Sequence, residues 1–284
     1  MINNILIADS GSTKTHWALI ANDGNVQHIS TAGINPLYQE ASEISSMLST
    51  SDIEWGSIEH IYFYGAGCIG GKANETITTA IQSIAPQAII TIQSDLMAAC
   101  HALLGNRAGI ACILGTGANS CCFDGEKIVA NTPPLGFILG DEGSGAYIGK
   151  RLLSDALKGI LPTDISQKLM QWIGIGYAEI INKVYKQPYP NRFLASLTHF
   201  AADNIDRDEI HNIVLEAFVT FIDRNLMRYD ADMLAQPINF VGSVAFNFEY
   251  ILAEAIEMCG LQIGNVEQNP IDGLINRQLQ LMQK

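Results

Sequence analysis

The sequence predicts an α/β protein with mixed sheets, and three observations carry that expectation. Short apolar runs of strand length alternate with amphipathic helical stretches. Several strand-like runs come in neighbouring pairs joined by small polar turns, as hairpins do. One such pair and its turn occur twice, near the start of the chain and again near its middle, which argues for duplication.

In chain order the strand-like runs are 5–8, 15–20, 61–64, 88–92, 109–114, 120–123 and 238–241. Helical periodicity covers 39–49, 73–85, 96–104, 143–159, 164–173, 175–185, 191–202, 207–228, 245–259 and 271–283. Asn22-Asp23-Gly24, Asp124-Gly125 and Pro133-Pro134 punctuate the elements as turns. The repeated units read ILIADSGSTKTHWALIANDG and IACILGTGANSCCFDG. Each is an apolar strand, a turn of small residues, a second strand and an Asp-Gly hairpin signal. With 284 residues two domains are expected, and the repeat puts their boundary near 105–110. The two turns would then face each other across a central cleft, a preferred place for ligands.

Composition narrows the function. With 48% hydrophobic and 16% charged residues the chain is globular. Its net charge of -13 opposes the phosphate neutralisation on which nucleic-acid binding rests, so no nucleic-acid partner is expected. No apolar run approaches the roughly 18 to 20 residues of a membrane span, and the first residues lack a basic signal region. A cytoplasmic protein without membrane contact is expected. The six cysteines contain no C-x-x-C pair and read as small apolar residues kept reduced.

Four segments carry chemistry. Asp9 ends a strand and is followed by Ser10-Gly11-Ser12-Thr13-Lys14-Thr15. Gly11 would open the backbone so that successive N–H groups converge on an anion. The hydroxyls of Ser12, Thr13 and Thr15 and the Lys14 ammonium would add donors. Asp9 could hold a hydrated Mg²⁺, which favours one or two carboxylates with phosphates and water. Gly115-Thr116-Gly117 forms the second turn, and Ala118-Asn119 follows it. Gly140-Asp141-Glu142-Gly143-Ser144-Gly145 precedes a helix whose N-terminus would favour anions, with Asp141 placed for a metal or substrate hydroxyls. Gly242-Ser243 ends a buried strand, where a missing side chain would admit a base or ribose. A simpler role exists for each: a plain turn, a helix cap at Asp141, or tight packing at Gly242, and Asp95, at the end of the 88–92 strand, reads by itself as a helix cap.

Together these segments resemble the nucleotide-binding signature of the actin-like, sugar-kinase and heat-shock-chaperone superfamily. GTGANS followed by GFILGDEGSGAYIG is most similar to the BadF/BadG/BcrA/BcrD ATPase family, in its N-acetylglucosamine kinase branch. The resemblance implies two ribonuclease-H-like domains with mixed five-stranded sheets around a central cleft, at 1–108 and 109–269, with a last helix at about 270–284 packed back on the first.

It also implies roles. Asp9, Gly11, Ser12, Thr13 and Lys14 would be the first ATP phosphate loop, although Ser10 and Ser12 stand where many members carry glycine. Gly115, Thr116 and Gly117 would be the second loop, and Gly242 and Ser243 the adenosine contact. Asn35, Asn119 and Asp141 would hold the sugar, Asp9 and Asp141 Mg²⁺, and Asp95 would be the catalytic base. The activity implied is ATP-dependent phosphorylation of an amino sugar, N-acetylglucosamine at its 6-hydroxyl first, with N-acetylmuramate or glucosamine as alternatives. A homodimer is compatible with the resemblance. A different class, an ATPase that activates a partner redox enzyme, would need cysteines for an iron–sulfur cluster that this spacing does not offer.

Overall fold

The computed structural model describes residues 4–11 and 14–282, which fall into two compact units, 1–106 with 269–284, and 107–268. In chain order the first unit contains β1 (Ile5–Ser10), β2 (Lys14–Ile20), β3 (Val26–Ala32), α1 (Ala41–Ser49), β4 (His60–Gly65), α2 (Gly71–Gln82), β5 (Ile89–Ser94) and α3 (Asp95–Leu103). The second contains β6 (Gly109–Leu114), β7 (Ala118–Phe123), β8 (Ile128–Asn131), α4 (Gly136–Leu139), α5 (Gly145–Leu157), α6 (Thr163–Ile173), α7 (Tyr177–Tyr185), α8 (Pro190–Asp203), α9 (Asp208–Arg224), α10 (Ala231–Leu234), β9 (Ile238–Val241), α11 (Ser243–Asn247), α12 (Glu249–Met258) and β10 (Ile263–Glu267). The last helix, α13 (Ile271–Met282), belongs to the first unit.

Each unit has one five-stranded sheet, in the orders β3-β2-β1-β4-β5 and β8-β7-β6-β9-β10. In both, the first three strands in sequence are antiparallel and the remaining two add in parallel. The echo between the two hairpin segments is therefore an echo of whole sheets.

Alternation along β1 shows why the first sheet is covered on both faces. Leu6 and Ala8 join Trp17, Phe63, Ile77 and Ile81 in one apolar cluster, whereas Ile5 and Ile7 join Ala18, Ala98, Leu274 and Ile275 in another. The first layer is supplied by α1 and α2 and the second by α3 and α13. Gly273 allows α13 to approach, since a Cβ there would fall 2.7 Å from Ala102. The second unit has a single large core in which α5 and α8 pack closely enough that a Cβ on Gly149 would overlap the Leu194 carbonyl. Among the described residues no helix is long and apolar enough to cross a membrane.

The differences from the sequence expectations are local. β3, β8 and β10 were absent from the strand-like runs because each edges its sheet, and edge sequences such as VQHISTA need no continuous apolar character. The helix expected over 207–228 ends at Arg224, and Leu226–Arg228 forms a separate 3-10 turn. The one expected over 245–259 breaks at Phe248 into α11 and α12. Neither α4 nor α10, four residues each, carries enough periodicity to be read in advance.

Candidate functional site

In the first unit the chemistry gathers at the carboxyl ends of the parallel strands, where open α/β sheets bind ligands. Ser10, Gly65 and Ser94 lie abreast on β1, β4 and β5. Asp9 precedes the first of these and Asp95 follows the last. Burial pushes the Asp9 carboxyl up from its ordinary 3.8 to about 7, helped by the negative charge of Asp95. Burial also raises Asp95, while backbone N–H groups of Leu96 and Asp95 itself pull it partly back. Asp9 thus senses the charge of Asp95, and no described residue donates a hydrogen bond to the Asp9 carboxyl.

Ser94, not Asp95, caps α3: its Oγ accepts the Met97 N–H at 3.2 Å. Asp95 becomes the first helical residue, and its Oδ1 accepts the neighbouring Leu96 N–H at 2.8 Å. The capping role that would have explained this aspartate away is already filled. Cys68 lies close by, with burial and Asp95 pushing its thiol up to about 12.

Asn35 is tied to the same edge. The Ser10 hydroxyl donates to the Ile34 carbonyl at 2.9 Å and accepts the Ile34 N–H at 3.1 Å, so the loop after β3 is stitched to the end of β1. The Asn35 Oδ1 accepts the Leu37 N–H at 3.0 Å and lies against Gly67, whose φ of +82° and lack of Cβ make room for it.

The first turn differs from expectation in two ways. Gly11 does not adopt a left-handed φ, and among the described residues a Cβ there would meet only the Lys14 carbonyl at 3.6 Å, so the backbone at this position does not require glycine. The Thr15 hydroxyl is no anion donor: it is fully buried, 2.7 Å from the Ser10 Oγ, and donates to the Ala32 carbonyl at 3.2 Å. Ser12 and Thr13 lie outside the described residues, and Lys14 is exposed at the start of β2.

In the second unit the turn Gly115-Thr116-Gly117 joins β6 to β7. It is held by α5, whose first N–H groups donate to it: Gly145 to the Gly115 carbonyl at 2.8 Å and Ala146 to the Thr116 carbonyl at 3.1 Å. The next, on Tyr147, goes to the capping Ser144 Oγ at 3.1 Å. This corrects the expectation that the α5 N-terminus receives an anion; its donors position the turn.

Asp141, with φ +53°, is one of the few non-glycine residues in the left-handed region. Its N–H donates to the Pro134 carbonyl at 2.9 Å, and its Oδ1 accepts the Ala118 N–H at 3.4 Å. Burial lifts its carboxyl to about 6, with the Ala118 N–H and Lys150 acting against that and Glu142 with it. A Cβ on Gly117 would meet Asp141 Oδ2 at 3.0 Å, so the bare glycine leaves that carboxylate its place. Asn119 directs its Oδ1 at the Ser120 N–H and the Asn131 amide, both at 2.9 Å. Gly242, at φ +127°, has a packing reason: its Cβ would lie 2.3 Å from the Leu114 carbonyl. Ser243 is exposed at the start of α11.

Motif reading missed Glu142 and Arg224. Glu142 is almost wholly buried and its Oε1 pairs with Arg224 Nε at 2.6 Å. An acid in a run of glycines hints at a partner, but nothing local names an arginine 82 positions later. Five of the six cysteines are buried, as small apolar residues would be, and the described residues form no disulfide. Among the described residues no three His, Cys, Asp or Glu side chains cluster to hold a metal by themselves.

No family model matches the sequence. A crystal structure from Porphyromonas gingivalis, of a protein assigned as an N-acetylglucosamine kinase, is 43% identical, with a TM-score of 0.92 over 96% of this chain and 98% of that one. An N-acetylmuramic acid/N-acetylglucosamine kinase of Clostridium acetobutylicum is 25% identical over 215 residues, 67% of each chain. A structure from Chromobacterium violaceum, likewise assigned as an N-acetylglucosamine kinase, is 18% identical with a TM-score of 0.72 over 97% of this chain and 99% of that one, a likeness of fold.

Proposed function

Because the chain belongs to the sugar kinases of the actin-like ATPase superfamily, we propose that it transfers the γ-phosphate of ATP to an amino sugar, N-acetylglucosamine at its 6-hydroxyl, within the BadF/BadG/BcrA/BcrD group. The single observation that supports this most is the Asp9–Asp95 pair at the ends of β1 and β5, with Ser94 as the cap. It provides one carboxylate for a cation and a second free to accept a proton.

Asp95 acts as the base. A sugar hydroxyl becomes a competent nucleophile when a carboxylate within hydrogen-bond reach takes its proton as the phosphorus bond forms. Burial raises the Asp95 proton affinity, which suits that task. The β1–β2 turn with Lys14 and the β6–β7 turn offer N–H, hydroxyl and ammonium donors for the triphosphate, and Gly242 with Ser243 the adenosine contact. Asn35, Asn119 and Asp141 orient the sugar; the Asn119 amide nitrogen has no partner among the described residues and can donate to a sugar oxygen.

The residues fit Mg²⁺. Asp9 offers hard oxygen donors, is destabilised by its own ionisation, and has no described donor to satisfy it. When bound, Mg²⁺ neutralises charge on the triphosphate. We assign Asp141 to sugar hydroxyls in preference to metal, since the Ala118 N–H and the Lys150 charge already stabilise its ionised form.

N-acetylmuramate is the second substrate to consider, because the Clostridium relative is named for both sugars. The redox-activator alternative has little support, since Cys68, Cys100, Cys112, Cys121 and Cys122 are all buried. The test is ATP consumption coupled to ADP detection across a panel of hexoses and N-acetylated hexosamines. Fastest turnover with N-acetylglucosamine is expected, and no sugar-dependent ADP from any member would refute the reading.

A further inference from the structure

The geometry points to a positioning role for the C-terminal end of α9 and the turn after it, Arg224 to Tyr229, which grips both polar residues that this unit offers to the sugar. The inference rests on the reading of Asn119 and Asp141 as sugar contacts.

A non-glycine residue at φ +53° persists only where its surroundings over-determine it. On the upstream side of Asp141 that restraint is its N–H bond to Pro134. On the downstream side it is Glu142, whose nearly buried carboxylate meets Arg224 Nε at 2.6 Å and has the Asn225 amide 3.5 Å away. The Arg224 side chain is 58% exposed and that of Glu142 only 9%, so α9 extends a surface arginine inward to anchor the turn.

The same segment holds Asn119 through a different set of bonds. The Tyr229 hydroxyl accepts the Thr132 N–H at 3.2 Å and lies 2.7 Å from the Ser120 Oγ, which is fully buried. The Thr132 hydroxyl donates to the Asn225 carbonyl at 3.0 Å. Between Ser120 and Thr132, the Asn131 amide donates to the Ser120 carbonyl at 2.7 Å and to Asn119 Oδ1 at 2.9 Å. With its oxygen occupied in this way, Asn119 presents its amide nitrogen to a ligand. A bond network of this kind fixes orientation to a degree that loss of one member relaxes. Arg224, Asn225 and Tyr229 are therefore positioning residues for the acceptor sugar.

The test compares wild type with Tyr229→Phe, which keeps the ring and removes the hydroxyl, and with Arg224→Gln, rescued by Arg224→Lys. The sugar KM is expected to rise about tenfold in Tyr229→Phe and Arg224→Gln while the ATP KM stays within about twofold, and Arg224→Lys should recover most of the loss. Calorimetric Kd values for N-acetylglucosamine should follow the sugar KM. The inference is overturned if both variants fold with an unchanged sugar KM, or if sugar KM, ATP KM and kcat deteriorate together in step with the folded fraction seen in thermal melts. Should Arg224→Gln fail to fold, Tyr229→Phe decides. Wild-type protein that phosphorylates no sugar on the panel would instead sink the substrate reading, and this inference with it.

Discussion

Replacing Asp9 by asparagine should make the protein more stable at pH 8. The fold raises this carboxyl from 3.8 to about 7, so the folded chain binds its proton more tightly than the unfolded chain does. Between those two values the folded state holds more protons, and stability declines as pH rises; above about 7 the loss is complete. A tenfold displacement of a proton equilibrium is worth about 1.4 kcal/mol, which sets a ceiling of about 4 kcal/mol. Asp9 keeps some contact with solvent and its surroundings can relax, which reduces the expected gain to about 1 to 3 kcal/mol. At about 2 to 4 °C per kcal/mol, the Asp9→Asn variant should melt about 2 to 12 °C higher at pH 8. The gap should shrink as pH falls towards 4.5, where wild-type Asp9 is mostly protonated in the folded state. Thermal melts of both proteins across that range, without nucleotide or divalent cation, make the measurement. A variant that is equally or less stable at pH 8 would refute the idea that the site stores electrostatic strain at Asp9.

Two further outcomes follow from the same geometry. kcat/KM for the sugar should fall as pH drops from 8 to 5.5, because Asp9 and Asp141 take up protons near 7 and 6. Excess Mg²⁺ should move this acid limb lower by competing with the proton at Asp9, and a limb indifferent to Mg²⁺ would remove Asp9 from the metal role. Gly242→Ala should destabilise the protein by about 2 to 4 kcal/mol, since it forces both a strained φ and a clash. With φ +127° and a Cβ 2.3 Å from the Leu114 carbonyl, the site has no slack, and a urea titration showing no loss would contradict the packing assigned there.

Much of this architecture was legible because buried strands write themselves as apolar runs. β1, β6 and β9 are enclosed by protein and were visible at once, whereas β3, β8 and β10 border their sheets and carry polar residues that resemble loop. The duplication was readable in the two hairpin segments, and the equal strand orders follow from it. Asp9 and Asp95 stand 86 positions apart in the chain, and only the parallel pairing of β1, β4 and β5 brings them near each other; resemblance to a family named the pair, and local pattern alone would have left Asp95 a helix cap. The hydroxyl row after Asp9 was harder to sort. Thr15 faces the interior and stitches the sheet to the loop after β3, a distinction that depends on the β1–β2 register. Arg224 was invisible because its partner Glu142 lies across the core from it in sequence, with no periodicity linking the two.

The most direct test of the central claim is the Asp95→Asn variant, assayed for nucleotide binding by calorimetry and for phosphoryl transfer by single-turnover kinetics with N-acetylglucosamine. Unchanged nucleotide affinity with transfer slowed by about 10² to 10⁴-fold is expected of a lost general base. Transfer at the wild-type rate would show that Asp95 does not take the proton, and the kinase mechanism built on its pairing with Asp9 would fall.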